Sequence, residues 1–225
     1  YLENSASFPM TDSMSRRPIK QRDSGWAKWI AGFLGRVGIT PNQVSVASMV
    51  FGGIAGALFF VSSDLVPVYR TIALIGAVVA CQARLLCNLF DGMIAVEGGK
   101  STADGPFWNE FPDRISDTLI LAGAGYGAGI PELGWAAAAI AILTAYVREL
   151  GHANGLAPDF AGPVAKQGRM HLISLGAIAA VFDANWTSTS GALSLALAAI
   201  TFGSIVTVIN RSMRIVGSLK KSAIK

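Results

Sequence analysis

Six apolar segments, near residues 43–62, 68–90, 109–130, 133–151, 170–186 and 192–213, constrain this chain more than any other feature. Most approach the roughly 20 residues with which a helix crosses about 30 Å of hydrocarbon, and the fifth has a short apolar core that reads as tilted or buried among neighbours. In lipid every backbone N–H and C=O has to pair inside the segment, so such runs fold as helices. Only 14% of the residues are charged, well short of the quarter or so found in soluble domains. Mean hydropathy is +0.49. The expectation is an all-α, polytopic membrane protein with six transmembrane helices.

The polar ends set its placement. Residues 1–23 read as a flexible polar tail, and 24–225 as one membrane domain. Within 24–38, Trp26, Trp29, Ile30, Phe33 and Leu34 recur at helical spacing while Lys28 and Arg36 carry charge, the pattern of an N-terminal interfacial amphipathic helix. Thr40 and Pro41 then suit an N-cap followed by proline in the first helical position. Of 18 basic residues, only Arg70 falls clearly on the side opposite both termini, with Arg114 near the start of the third span. This asymmetry places both termini in the cytoplasm. The basic residues are split among short segments rather than gathered in one stripe, which argues against nucleic acid as a partner. Cys81 and Cys87 lie in one apolar segment and make neither a zinc pattern nor a disulfide framework. The glycines Gly52, Gly53 and Gly56, and Gly123, Gly125, Gly127 and Gly129, form small faces suited to close helix packing.

Six carboxylates interrupt this apolar background: Asp91, Glu97, Asp104, Glu110, Asp113 and Asp117. Ionised groups at the ends of membrane segments usually face a polar cavity, a cation or a substrate path. Asn88 and Asp91 are three apart near a helix end, and Asp113 and Asp117 are four apart on the next helix, so each pair shares a face. Together they make an oxygen-rich set of the kind that holds a hard divalent cation along with substrate phosphates. An ion-pair network with Arg84, Arg114 and Arg148 is the alternative use of the same groups.

The segment Asp91-Gly92-x-x-Ala95, followed by Asn109-Glu110-x-x-Asp113-x-x-x-Asp117, resembles the signature of the CDP-alcohol phosphotransferase family. That signature has two aspartates, a glycine, an alanine and an arginine, a spacer of eight, then a glycine and two further aspartates. Here Asn88 stands at the first aspartate, Val96 at the arginine and Asn109 at the glycine, and the spacer is four residues longer. An ungapped match keeps Gly105 but assigns Asn109 and Asp113 to the last two positions and strands Asp117. The gapped match resembles the form in choline and ethanolamine phosphotransferases. Thr40-Pro41-Asn42 and the six-helix plan also resemble the family.

The resemblance implies transfer of a phosphatidyl or related phospho-alcohol group from a CDP-linked lipid donor, CDP-diacylglycerol in many members. The group passes to a small alcohol or alcohol-phosphate acceptor, with release of CMP in phospholipid biosynthesis. It implies magnesium or manganese held by Asn88, Asp91, Asp113 and Asp117, with Asp113 and Asp117 catalytic and Asp117 accepting the acceptor's proton. It gives Gly92, Ala95, Asn109 and Glu110 to the nucleotide. Arg84, Arg148, Lys166 and Arg169 are candidates for phosphate or lipid contacts. A homodimer in a bacterial inner membrane, with the site on the cytoplasmic side, completes the expectation. A catalytically inactive membrane scaffold of the same fold, and an ion or solute transporter using the carboxylates as a relay, remain the competing readings.

Overall fold

A computed structural model describes residues 24–96, 98–100, 102–183 and 190–222. The tail read at residues 1–23 lies outside the described residues. Among them the chain is helical: α1 Gly25–Arg36, α2 Pro41–Val61, α3 Pro67–Val96, α4 Gly105–Gly127, α5 Pro131–Ala153, α6 Lys166–Val181 and α7 Gly191–Ser222. Each of the six segments read as spans contains a helix among its described residues, although the fifth, read to residue 186, is helical only to Val181. Four stretches, Pro41–Asp64, Pro67–Val96, Pro131–Ala153 and Gly191–Ser222, are long and apolar enough to cross a membrane. The protein is therefore an all-α, polytopic membrane protein. The other two helices differ for local reasons. α4 carries Glu110, Asp113, Arg114 and Asp117, and α6 has only 16 residues.

Neighbouring helices close into a ring in the order α2, α4, α5, α7, α6, α3 and back to α2. The starts of α2, α4 and α6 and the ends of α3, α5 and α7 lie at the same end of this bundle, with α1 beside α3. Its apolar interior includes Phe59, Leu74, Ile120, Leu121, Ile173 and Leu197. In α1, Ala27 and Ala31 are buried against the bundle, while Trp26, Trp29 and Phe33 remain exposed. Trp26 meets Phe90 edge-on at 6.2 Å.

Small residues fix how closely the helices approach. A Cβ added at Gly52 would lie 2.6 Å from the Ser116 Cβ, and one at Gly125 would lie 2.6 Å from the Gly134 Cα. Gly56 and Gly123 meet backbone to backbone. The glycine faces, suited by their sequence to close helix packing, are thus used inside one chain to seat α4 on α2 and on α5.

Two helix ends position the site. At the start of α2, the Gln43 N–H donates to Thr40 Oγ1 at 3.3 Å and the Thr40 N–H donates to Gln43 Oε1 at 3.0 Å, a complete capping box. α3 continues to Val96, so Asp91, Gly92 and Ala95 sit within the helix rather than after an end near residue 90. It closes where Gly99 takes the left-handed conformation (φ +61°), with the Lys100 N–H on the Ala95 carbonyl at 3.0 Å and the Gly99 N–H on the Val96 carbonyl at 3.3 Å. Lys100 Nζ then donates to the Gly35 carbonyl at 2.8 Å, tying this turn to α1.

Candidate active site

α3 and α4 carry the motif, yet they make little direct contact, because α2 packs between them. Long side chains bridge the gap. Arg84 Nη2 on α3 donates to Asp117 Oδ1 at 2.6 Å and to Asp113 Oδ1 at 3.2 Å on α4. One turn further along α3, Asn88 Nδ2 donates to Asp113 Oδ1 at 2.9 Å. From α6, Lys166 Nζ pairs with Asp113 Oδ2, and Arg169 Nη2 donates to Asp117 Oδ2 at 2.8 Å. Arg84 is fully buried, and Asp113, Asp117 and Arg169 are nearly so. Charges removed from water to this extent persist only when paired.

α2 supplies hydroxyls that the sequence reading passed over. Ser45 Oγ donates to Asp91 Oδ2 at 2.7 Å and Ser48 Oγ donates to Asn88 Oδ1 at 2.9 Å. Ser45, Ser48, Gly52 and Gly56 recur at steps of three and four, so the small polar stripe that faces the site is visible in the sequence once it is looked for. The Asp91 Oδ1 atom is buried and finds no hydrogen-bond partner.

A second polar group adjoins this one. Glu110 accepts from both Arg114 and Arg148, and Arg148 Nε donates to Glu149 Oε1 at 2.8 Å. The Arg148 guanidinium lies 5.3 Å over the Phe160 ring. Arg114, Arg148, Lys166, Arg169 and Arg211 line one pocket together with Thr144. Arg211 Nη1 donates to the Thr144 carbonyl at 2.7 Å and its Nε to the Ala161 carbonyl at 3.0 Å, so α7 braces that wall. Arg211, also missed from the sequence, had read only as a topology charge.

The predicted residues therefore divide. Asn88, Asp91, Asp113, Asp117, Arg84, Lys166 and Arg169 converge, while Arg148 and Glu110 stand beside them in an ion-pair network. Gly92 and Ala95 are half-buried on α3, and Asn109 is exposed on the first turns of α4. Asp104 is outside the cluster. It is exposed, accepting from Asn42 Nδ2 at 3.2 Å and from Trp108 Nε1 at 2.9 Å. A hydrogen bond from the Thr102 side chain, with those from Trp108 and Asn42, holds its carboxyl below the ordinary value.

A magnesium or manganese ion does not fit this donor set as the side chains stand. Each oxygen of Asp113 and Asp117 already receives a cationic donor. The Asn88 oxygen receives Ser48, and its amide faces Asp113. Among the described residues no three His, Cys, Asp or Glu side chains are grouped to hold an ion.

No family model matches the chain. It is 29% identical over 196 residues to the archaetidylinositol phosphate synthase of Aeropyrum pernix, covering 87% of this chain and 92% of that protein. Its fold matches the phosphatidylinositol phosphate synthase of Mycobacterium tuberculosis. Against the crystal structure with CDP-DAG bound, the TM-score is 0.67 at 22% identity, over 84% of this chain and 92% of that one. Against the complex with manganese and citrate, the TM-score is 0.68 at 22% identity, over 84% and 88%. The chain is thus similar in sequence to one lipid-phosphate synthase and shares the fold of another.

Proposed function

We propose that this protein transfers a phosphatidyl or related phospho-alcohol group from a CDP-linked lipid donor to an anionic alcohol acceptor, releasing CMP, in phospholipid biosynthesis. One observation carries the reading. The buried carboxylates Asp113 and Asp117 share their cations with a pocket lined by Arg114, Arg148, Lys166, Arg169 and Arg211. A chamber with both features suits a reaction in which phosphates have to be held and a proton has to leave an alcohol. The names of the relatives, which are phosphate-bearing lipid synthases, agree with it.

The residues divide the work by position. Lys166 is the partly exposed cation of the cluster, and its ammonium reaches from the pocket wall to Asp113. The donor diphosphate draws Lys166 towards itself, and Arg169 and Arg148 supply planar forks for the remaining phosphate oxygens. Departure of Lys166 leaves Asp113 Oδ2 open to the acceptor hydroxyl. That hydroxyl oxygen bonds to the phosphorus carrying the lipid alcohol as the bond from this phosphorus to the CMP oxygen breaks. The hydroxyl proton passes to Asp113. Asp117, gripped by Arg84 and Arg169, holds those guanidiniums in place rather than competing for the proton. A carboxylate is a weak base towards an alcohol, so alignment of the attacking oxygen and fixed positive charge supply the rest of the acceleration. The same cations bind the acceptor's own phosphate, with Arg211 and Arg114 on the far wall.

The site opens at the bundle end shared by α1 and the last turns of α7, and the concentration of basic residues on that side supports a cytoplasmic site with cytoplasmic termini. The exposed Trp29 and Phe33 of α1 enter the headgroup layer there.

The test uses purified protein in lipid nanodiscs with CDP-diacylglycerol and paired acceptors, inositol against inositol phosphate and glycerol against glycerol phosphate, with CMP measured. Acceptor-dependent CMP release is expected, faster with the phosphorylated member of each pair. Asp91→Asn and Asp113→Asn are each expected to lower it at least about tenfold, the ordinary cost of losing a well-placed charged or proton-accepting group. Release that ignores the acceptor, or full turnover in both folded variants, refutes the proposal. The saturation of Asp113 and Asp117 by cations favours one rival, an inactive scaffold, and acceptor-dependent release eliminates it.

A further inference from the structure

We infer that the substrate-free site is closed to divalent cations, because the chain's own cations occupy the carboxylates that a metal requires. The charge balance points to this first. Three carboxylates, Asp91, Asp113 and Asp117, stand with three cations, the buried Arg84 and Arg169 and the partly exposed Lys166, and those cations pair with Asp113 and Asp117. A divalent ion binds where negative charge exceeds positive, and here the excess is nil before it arrives.

Atom-level geometry agrees. Asp113 Oδ1 accepts from Asn88 and Arg84, and its Oδ2 from Lys166. Asp117 Oδ1 accepts from Arg84 at 2.6 Å and Oδ2 from Arg169 at 2.8 Å. Asn88 is oriented by Ser48 so that its amide hydrogens, not its oxygen, face Asp113. Asp91 Oδ1 alone among these acid oxygens lacks a donor. Magnesium needs a near-octahedral set of oxygens, and one free carboxylate oxygen beside three fixed cations falls far short of it.

The sequence accounts for the difference from a metal-binding arrangement. Asn88 takes away a negative charge where the family pattern has an aspartate. Arg84, four residues earlier on the same face of α3, adds a positive one. Its side chain is wholly enclosed, so an incoming ion cannot displace it into solvent. Lys166 is the partly exposed member and the one whose removal opens an oxygen. The inference concerns metal binding by the free protein and stands apart from the transfer reading, so either can fail alone.

Manganese provides the probe, titrated into full-length protein in nanodiscs without nucleotide and followed by the loss of the free-ion electron paramagnetic resonance signal. The wild-type protein is expected to show no saturable site with a Kd below about 1 mM. Lys166→Gln, which removes a partly exposed cation and spares the buried ones, is expected to create a single site. Asn88→Asp combined with Lys166→Gln is expected to tighten it at least about tenfold, since a carboxylate replaces an amide donor. A wild-type site tighter than about 1 mM overturns the inference. So does failure of Lys166→Gln, shown to be folded by its thermal transition, to gain any site. Chain-held cations would then not be what excludes the ion.

Discussion

The pairing of Arg84 with Asp117 yields a prediction whose size follows from the charge balance of the cluster. Arg84→Met keeps much of the stem's volume but leaves the cluster one negative charge in excess. Asp117→Asn keeps the shape of the carboxylate and leaves one positive charge in excess. Each change strands a charge in a place from which water is excluded, and breaking a buried pair in this way costs about 3–5 kcal/mol. The arginine change belongs at the lower end. Its Nε and Nη1 atoms are buried without partners, so methionine also removes two unsatisfied donors. Asp113 keeps Lys166 and Asn88, and Asp117 keeps Arg169. The double variant restores balance, with two carboxylates against two cations. If the costs were independent they would total about 6–10 kcal/mol, a large part of the roughly 5–15 kcal/mol that holds a domain together. Because the second change removes the charge stranded by the first, the double variant is expected to be about 2–3 kcal/mol more stable than that total. Equilibrium unfolding in mixed micelles, with helicity followed by circular dichroism, measures the cycle. Additivity to within about 0.5 kcal/mol refutes a direct α3–α4 charge bridge.

Three further outcomes test the frame around the site. Gly52→Ala drives a Cβ into Ser116 on α4. It is expected to cost about 1–3 kcal/mol in the same unfolding assay, and an unchanged transition contradicts the close α2–α4 approach. Thr40→Val removes the side-chain half of the capping box at the start of α2, with an expected loss of about 1 kcal/mol; no loss means that the cap is not formed. Asp104 is held below its ordinary value by Thr102, Trp108 and Asn42, so its contribution is present above the unfolded value and is lost as pH falls through the lower folded one. Trp108 fluorescence, isolated by difference against Trp108→Phe, is expected to change only below the usual aspartate value of about 3.9, and a midpoint at or above that value refutes the assignment.

Periodicity and residue chemistry made the fold legible at the level of helices and much less so at the level of partners. The six apolar runs and the Thr40–Pro41 start needed only local rules: each run coincides with a helix among the described residues, four of those helices are long and apolar enough to span a membrane, and the cap forms. The end of α3 did not obey them. Asp91-Gly92 reads as a helix end because an acid and a glycine are poor in an apolar helix interior. Ser45 on α2 satisfies the acid from outside the helix, and the left-handed Gly99 supplies the true stop. The glycine faces were legible as contact surfaces but not as to whose, since spacing on one helix cannot say whether the opposite surface belongs to the same chain. The site shows the same division. Arg84, Asn88 and Asp91 share one face of α3, and Asp113 and Asp117 one face of α4, all read directly from spacing. What spacing could not give is that α2 packs between the two helices, so that α3 reaches α4 through side chains: Asn88 to Asp113, and the longer Arg84 to both Asp113 and Asp117. Arg84 therefore becomes the link on which the carboxylate geometry depends. A shorter cation at that position would leave Asp113 to Lys166 and Asn88 and Asp117 to Arg169, with no single donor bridging the two carboxylates across one turn of α4.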